Sequence, residues 1–444
     1  MRRHNAITLV VLTTVISTAA TIAACADEIV GPSRASDFEV WAVDQSPSPG
    51  KAFGGLIHIF RDSTLPGGGG AHTLTSATER VDLSGATAQL CQSATGALPV
   101  QAHNITFNRS QTHAMVAFLT SGHVAILNAA TREPVACLQM SLGTSGMRHA
   151  HQAVAAPDGS YILVANQMGK LLERIDADFV RNSFAKNTAA TLNLATCLTP
   201  SGVACEAAGV RPNNQPVTFT IDQSGSLAFV TLRGGGFFVI DPRSTPMRIV
   251  AEYDMNTIQP QGLASIRVGD ALFSTSGANA FRLYRFALSD FASGGAASTR
   301  AANQPAATAL ISEGTPGRDG HGLALTGDDR YLWATDRGGN VIEVFDVRAA
   351  SRVGTINLVG PLTSDPSPDI LGTSPRGDLV FVTLKGPNPL SGIPWGTGNT
   401  PGVGVIAVED GGRTGRLIAI QPISNRDANN VERADPHGLA VRVR

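Results

Sequence analysis

The stretch HQAVAAPDGSYILVANQMGKLLERIDAD, residues 151–178, is the clearest indication of how this chain folds. It contains an apolar strand, an Asp-Gly turn, a second strand that begins at Tyr161, a Gly-containing turn and a third strand that ends at Asp178. Asp-Gly and related pairs supply the positive φ that a tight hairpin requires. The stretch HGLALTGDDRYLWATDRGGNVIEVFDV, residues 321–347, repeats this pattern. Such self-similarity indicates a repeat architecture.

Weaker copies of the unit begin near His103, Val217, Gln261 and Asp369. The seventh copy is divided between the two ends of the chain. HGLAVRVR (437–444) is its predicted first strand, and FEVWAVDQ (38–45) and GGLIHIF (54–60) are its predicted later strands. Joining the two ends closes a ring and removes an exposed edge strand. We therefore predict an all-β fold, a seven-bladed β-propeller over residues 38–444 that is closed by pairing of N- and C-terminal strands.

The repeat units also carry a family resemblance. PDGSYILVANQ, GDDRYLWATDRGGNVIEVFD and DPHGLAV resemble the YVTN-type repeats of YncE-like propellers, a broad group similar to the propellers of haem d1 nitrite reductase and nitrous oxide reductase. The resemblance covers nearly all of the chain beyond Phe38. It implies the propeller fold, but not one activity, because unrelated activities share this repeat. This sequence contains no Cys-x-x-Cys-His motif of the kind that a cytochrome c partner of a haem d1 enzyme needs, and we expect no counterpart of the cupredoxin-like domain of nitrous oxide reductase.

The first 25 residues have the pattern of an export signal. A basic start is followed by an apolar run from Ala6 to Ile22, and Ile22-Ala23-Ala24-Cys25 resembles the bacterial lipobox, in which the cysteine is acylated. We predict a lipoprotein-type signal peptide over 1–25, lipidation at Cys25 and a flexible tether over 26–37. The expected location is the bacterial cell envelope, with a lipid anchor in the membrane. Cleavage by an ordinary secretory route is the alternative.

Four cysteines remain after Cys25, an even number in an oxidising compartment. Cys197 and Cys205 flank a short turn, so a local disulfide is expected, and Cys91 and Cys137 then pair by elimination. The net charge of −1 over 444 residues argues against a nucleic-acid surface. We expect a monomer.

One column of residues in the repeat alignment is the main functional clue. Aligning the repeats on the turn and second strand places polar residues in six of the seven, one step before each first strand. The column contains His103, His151, Val217, Gln261, His321, Asp369 and His437. Closure of the ring would place the side chains of this column around one axis. His103, His151, His321 and His437 are therefore candidate ligands of Cu or Zn, the metals that imidazole-rich sites prefer.

Other residues near the column are candidates for binding a small ligand. His149 could add a fifth imidazole. Arginines that precede the column by three or four residues could bind an anion. The ligand-binding candidates are His149, Arg148, Gln261, Arg318, Asp369 and Arg433. The alternative is that each histidine only locks neighbouring blades together through backbone groups or through turn carboxylates such as Asp158, Asp328 and Asp329.

The sequence favours a binding protein over an enzyme because no complete catalytic set is visible. We expect an exported propeller that presents a histidine-rich channel to a metal ion, a small ligand or a protein partner. The alternative is a metal-assisted enzyme, either a lactonase-like hydrolase or a small-molecule oxidoreductase. Lactonase-type propellers usually add carboxylates to the metal, and the column contributes only Asp369.

Overall fold

The computed structural model describes residues 38–61, 79–277, 280–288, 308–313, 317–326, 328–391 and 396–444. Cys25 and the predicted tether lie outside these residues, so lipidation and signal cleavage stay predictions. No helix in the described part of the chain is long and apolar enough to cross a membrane.

The described residues form 28 strands, one α-helix and a short 3-10 turn, Asp410–Gly412. The elements are β1 (Phe38–Asp44), β2 (Leu56–Arg61), β3 (Glu79–Asp82), α1 (Ala86–Thr95), β4 (Ala102–Phe107), β5 (His113–Phe118), β6 (His123–Asn128), β7 (Pro134–Gln139), β8 (Ala150–Ala155), β9 (Tyr161–Asn166), β10 (Leu171–Asp178), β11 (Ser183–Asn193), β12 (Pro216–Ile221), β13 (Ala228–Leu232), β14 (Phe237–Asp241), β15 (Arg248–Tyr253), β16 (Gly262–Val268), β17 (Ala271–Ser276), β18 (Phe281–Ala287), β19 (Thr308–Glu313), β20 (Gly320–Leu325), β21 (Tyr331–Asp336), β22 (Val341–Asp346), β23 (Ser351–Asn357), β24 (Pro368–Thr373), β25 (Leu379–Leu384), β26 (Gly402–Glu409), β27 (Thr414–Pro422) and β28 (Pro436–Val443).

These strands make seven antiparallel four-stranded sheets, which are the seven blades of a propeller. Blade 1 has the order β28-β1-β2-β3, and blades 2 to 7 each take four consecutive strands, from β4–β7 to β24–β27. The inner strands β28, β4, β8, β12, β16, β20 and β24 contact one another in that order around the ring. Pairing of β1 with β28, with Trp41 opposite Ala440, confirms the predicted closure.

The core lies between the blades. Seven clusters of buried apolar side chains are found in the described residues, one for each pair of neighbouring blades. The second strand of a blade is covered on both faces, so strands such as β9 (YILVAN) and β25 (LVFVTL) are buried throughout. This explains why these strands are continuous apolar runs rather than alternating ones.

Both predicted disulfides are present. Cys91–Cys137 links α1 to β7, the outer strand of blade 2, and Cys197–Cys205 closes a short loop before blade 4. The repeat pattern does not predict α1. This helix packs on blade 2, where the buried Cys91 side chain joins the apolar cluster between blades 1 and 2.

Each inner strand contains a β-bulge near its start. In blade 2 Ala102 pairs with Phe118 and Asn104 with Ala117, so His103 has no cross-strand partner. The other six inner strands show the same single extra residue against their neighbours. A bulge changes the direction of a side chain relative to a regular strand. The seven bulges therefore give the side chains at one position of the repeat a direction that differs from the regular alternation of the sheet.

Threonines on the second strands hold these bulges in place. The Thr335 hydroxyl accepts a hydrogen bond from the Gly322 N–H at 2.7 Å and donates to the Asp369 carbonyl of the next blade at 2.7 Å. Thr383 makes the equivalent contacts with the Ile370 N–H at 3.0 Å and the His437 carbonyl at 2.7 Å. The carbonyl groups of the column residues thus connect one blade to the next.

Candidate functional site

Five neighbouring blades bring five column residues together in the central channel. Each is the second residue of its inner strand: His321 in β20, Asp369 in β24, His437 in β28, His103 in β4 and His151 in β8. We call these five residues the histidine arc. The predicted register, one step before each strand, is wrong, because each strand begins one residue before the column residue and the bulge follows.

Asp369 lies at the centre of one half of the arc. Its Oδ2 is 2.6 Å from Nδ1 of His437, and its Oδ1 is 2.9 Å from Nε2 of His321. All three side chains are buried. A carboxylate that only accepts hydrogen bonds fixes which nitrogen of each neighbouring ring carries the proton. Asp369 therefore orients two imidazoles from the blades on either side of it.

His103 connects this half of the arc to His151. The His103 ring stacks on His437, with ring centroids 4.1 Å apart. Its Nε2 is 3.2 Å from Nε2 of His151, and its Nδ1 is 2.6 Å from Oε1 of Gln45. The side chains of the arc thus form one continuous series of contacts across five blades.

A set of buried charges surrounds Asp369. Lys385 is fully buried, lies 3.4 Å from Oδ2 of Asp369 and forms an ion pair with Asp435. Arg337 donates to Asp319 at 2.6 Å and lies 3.6 Å from Oδ1 of Asp369. The set contains three carboxylates, Asp319, Asp369 and Asp435, and two cations, Arg337 and Lys385, so its net charge is −1 when the imidazoles are neutral. This excess of negative charge favours a bound cation.

Burial and charge favour the neutral form of three arc histidines, His103, His151 and His321. Burial, with the charges of His437 and other neighbours, lowers the pKa of His103 well below its usual range. Burial also lowers the pKa of His151 well below normal, and burial with the Arg337 charge lowers the pKa of His321. Burial alone would raise the pKa of Asp369, but its contacts with His321 and His437 and the positive charges of Arg337 and Lys385 hold it well below normal. Neutral imidazoles beside an ionised carboxylate are what metal binding requires.

A cavity of about 160 Å³ lies in the channel next to the arc. Its lining includes His151, His321 and His437 together with Leu263 and Ile370. Among the described residues, one group of three candidate ligands has all its ligand atoms within 4.8 Å of one another, and it consists of His321, Asp369 and His437. His103 and His151, the other two predicted metal ligands, belong to the same arc through ring contacts.

Gln261 does not belong to this register. Gly262 pairs with Ser276 as Gly320 pairs with Asp336, so Leu263 is the residue equivalent to His321. The alignment is wrong here because the β16–β17 hairpin is short, with only Gly269 and Asp270 between the strands. Gln261 occupies the same position as Asp319, directly before the inner strand. Its role in ligand binding stays a prediction, as does that of the partly exposed His149, which directly precedes β8.

The three predicted arginines have other partners. Arg148 donates to the Met140 carbonyl at 3.0 Å. Arg318 forms ion pairs with Asp336 and Glu343 in its own blade. Arg433 is exposed and donates to Asp427 at 2.9 Å. The structure therefore does not bring these guanidinium groups to the arc.

The blade-locking alternative is right in one respect. The arc histidines do connect neighbouring blades, but through one another, Gln45 and Asp369. The turn carboxylates have other partners. Asp158 accepts from Ser160 and forms an ion pair with Arg243 of the next blade, and Asp328 accepts from Thr326.

The repeat column does not include the residues that support the arc. Gln45, Arg337 and Lys385 each follow the second strand of a blade by one residue, and Asp319 and Asp435 directly precede inner strands. One sequence signal marks two of them, because Asp319-Gly320-His321 and Asp435-Pro436-His437 share an Asp-x-His pattern.

Comparisons with known proteins support the fold. No family model matches the chain, and no curated protein matches it. The periplasmic gluconolactonase of Pseudomonas aeruginosa is similar over 91% of this chain and 100% of its own, with 14% identity and a TM-score of 0.57. A putative 6-phosphogluconolactonase of Bacteroides fragilis covers 93% of this chain and 99% of its own, with 11% identity and a TM-score of 0.53. A protein from Lactobacillus plantarum covers 91% of this chain and 99% of its own, at 12% identity and a TM-score of 0.56. At these identities the likeness is one of fold, and membership of the YncE-like family stays a prediction.

Proposed function

We propose that this protein is an exported, lipid-anchored β-propeller that binds one late transition-metal ion, Zn or Cu, in its central channel. The observation that carries the proposal is the histidine arc, in which four buried or partly buried imidazoles and one ionised carboxylate come together on five neighbouring blades. Imidazole-rich sites suit Zn and Cu better than Mg or Ca. The net negative charge of the buried set supports a cation rather than an anion.

Two further features agree with this proposal. The two disulfides fit an oxidising compartment, as export through the segment ending at Cys25 would require. Histidines that bind a metal usually donate a hydrogen bond from their other ring nitrogen to an acceptor that orients the ring. In the arc, Gln45 and Asp369 are such acceptors.

Metal binding can be tested by equilibrium titration of the metal-free protein with Zn²⁺ and Cu²⁺. We expect one high-affinity ion per chain in the wild type and its loss in His437→Ala, because His437 contacts both halves of the arc. His113→Gln is the matched control, since His113 is a buried histidine outside the channel that contacts Asn182. Equal binding by the wild type and His437→Ala would refute the proposed site.

The export proposal has its own test. Mass spectrometry of the protein recovered from a bacterial membrane fraction should find an acylated N-terminal Cys25, and Cys25→Ser should release the protein from that fraction. An unmodified N-terminus at another residue would favour ordinary secretory cleavage.

A metal-assisted hydrolase is the second candidate. One structure with the same fold is described as a periplasmic gluconolactonase and another as a putative 6-phosphogluconolactonase, and the channel cavity borders three histidines. However, ligand pockets for small organic molecules usually measure about 300–1,000 Å³, and this cavity is about 160 Å³. We therefore place binding ahead of lactone hydrolysis. Zn-dependent hydrolysis of a lactone panel by the wild type, absent in His437→Ala, would reverse that order.

A further inference from the structure

A cleft of about 650 Å³ lies between blades 4 and 5, at the ends of the inner strands β12 and β16. The arc lies at the starts of the inner strands, so the cleft and the arc are on opposite faces of the propeller. The volume of the cleft falls within the range of about 300–1,000 Å³ that is typical of small-molecule pockets, whereas the cavity of about 160 Å³ beside the arc lies below it. The cleft therefore has room for a small organic molecule.

A change of residue type in blade 4 helps to keep the cleft open. Between blades 3 and 4, the Tyr161 hydroxyl donates a hydrogen bond to the Gly225 carbonyl of the neighbouring turn at 2.9 Å. Leu227 takes the place of Tyr161 in blade 4, because the backbone bond from Asp222 to Leu227 matches the bond from Ala156 to Tyr161. Leucine has no hydroxyl and is shorter, so it does not reach across to blade 5.

A short turn in blade 5 has the same effect. The β16–β17 hairpin has only Gly269 and Asp270 between its strands, whereas residues 222–227 connect the equivalent strands of blade 4. Blade 5 therefore has no long turn to cover the cleft at this end of the inner strands.

The cleft combines an apolar wall with a charged rim. Phe229, Val250 and Leu288 are buried and form the wall, with the partly buried Leu227 beside them. The charged residues of the lining are Arg243, Arg248, Arg267, Asp222, Asp241 and Asp270. Because the three cations and three anions of the lining balance, individual contacts rather than the overall charge decide what binds.

Most of these charged groups already have partners. Arg248 forms an ion pair with Asp241 at 3.1 Å, and Arg243 forms one with Asp158 of blade 3 at 3.3 Å. Asp222 accepts hydrogen bonds from two backbone N–H groups of its own turn, at 2.7 and 2.9 Å. These groups therefore shape the rim and are not the first candidates for contact with a ligand.

Arg267 differs from the other two arginines. It lines the cleft from the end of β16, is partly buried, and has no ion pair or side-chain hydrogen bond with another described residue. A guanidinium group presents N–H donors in a planar fork that matches a carboxylate. Asp270 also has no such partner among the described residues, but it is exposed at the hairpin tip, where water solvates it.

We infer that this cleft binds a small monocarboxylate with an apolar body. The carboxylate pairs with Arg267, and the apolar body packs against Phe229, Val250 and Leu288. A charge-assisted bidentate contact orients the ligand, and burial of its apolar surface adds affinity. The site is independent of the proposed metal ion, because the arc lies at the other end of the inner strands.

The test is a ligand-observed NMR titration of the full chain with phenylacetate and with its neutral counterpart, phenylacetamide. We expect the wild type to bind phenylacetate and to bind phenylacetamide more weakly. Arg267→Gln should weaken phenylacetate binding about 10- to 100-fold, the usual effect of losing hydrogen bonds to a charged group, and should make the two probes equal. Arg181→Gln is the matched control, since Arg181 is an exposed arginine of blade 3 outside the cleft.

Leu227→Tyr tests the location of the site without changing its charge. The larger side chain, which is the one that blade 3 has at this position, should fill the cleft and abolish phenylacetate binding. Urea unfolding shows whether this variant is folded, and if it is not, the Arg267→Gln comparison decides alone. No binding of phenylacetate by the wild type, equal binding of both probes, or unchanged binding in Arg267→Gln or in folded Leu227→Tyr would overturn the inference.

Discussion

At the scale of single residues, hydrogen bonds to fixed acceptors determine which ring nitrogen carries the proton. Gln45 fixes His103, and Asp369 fixes both His321 and His437. Lys385 and Arg337 keep Asp369 ionised, since their charges lie within 4 Å of its oxygens. Burial lowers the pKa values of the His103, His151 and His321 rings beside this carboxylate, so the stability of the arc depends on pH.

The metal-free protein should lose stability as pH falls below about 6.5, the ordinary pKa of histidine. His103, His151 and His321 have lowered pKa values in the native state, so their unfolded forms bind protons that the native forms do not. Each such group contributes up to about 1.4 kcal/mol per pH unit. Asp44 opposes this below pH 6, because burial raises its pKa to about 6 and protonation then favours the native state.

Urea unfolding at pH 7.5, 6.5 and 5.5 with a chelator checks this expectation. His151→Gln should reduce the slope, because one titrating group is removed. A free energy of unfolding that is constant or increases toward pH 5.5 would show that the arc histidines are not held neutral.

The sequence predicts the four histidines and Asp369 but not the residues that support them. An alignment column identifies residues at the same position in each repeat. Gln45 and Lys385 contact the arc, and Asp435 contacts both of them. These three residues lie at two other positions of the repeat, which contain different residue types in other blades, such as Leu119 and Gln215. Because these positions share no residue type, an alignment of the repeats does not identify them.

At the scale of the strands, the β-bulges of the inner strands position the repeated column residues as one site. They fit together closely, because Gly322 and Gly438 lie against the carbonyl groups of Asp369 and His103 in the next blade. A Cβ at Gly322 would overlap the Asp369 carbonyl oxygen. These glycines directly follow His321 and His437, and packing between the blades requires glycine at these two positions.

Gly322→Ala should therefore destabilise the protein by about 1–3 kcal/mol, the usual cost of overpacking, and weaken metal binding by displacing Asp369. Gly360→Ala is the matched control, because no atom lies within 4 Å of the position that its methyl group would take. Chemical denaturation and Zn²⁺ titration of both variants measure the two effects. Equal stability of the two variants would mean that the inner strands tolerate displacement.

Repeat spacing predicts the blades well and their register less well. The ten-residue spacing from His321 to Tyr331 holds where the turn has the same length, and it fails at Gln261 because the β16–β17 hairpin is shorter. Helix α1 lies outside the repeat unit, so the strand pattern gives no information about it.

For the molecule as a whole, ring closure gathers residues that are far apart in the chain. His437 comes from the last strand and His103 from the first blade built of consecutive strands, yet their rings stack. The closing strand β28 thus has two roles. It completes blade 1, and it supplies the residue that connects the two halves of the arc.

Removal of residues 437–444 should abolish the cooperative melting transition or drive the protein into oligomers. Strand β1 would lose its inner partner and expose an unpaired edge. Removal of Arg444 alone is the control, because it lies beyond β28. Size-exclusion chromatography and thermal melting follow both truncations, and an unchanged monomer after the longer truncation would contradict closure by β28.

Thermal melting with and without Zn²⁺ from pH 7.5 to 5.5 decides whether the arc holds a metal ion. Zinc at 100 times its Kd should add about 2.7 kcal/mol of stability, or about 3 °C for a chain of this size. The shift should disappear toward pH 5.5, because protons compete with the metal for the imidazoles. His113→Gln should keep the shift and His437→Ala should lose it. A melting temperature that Zn²⁺ and Cu²⁺ leave unmoved at every pH would contradict metal binding and leave the histidines as connections between blades.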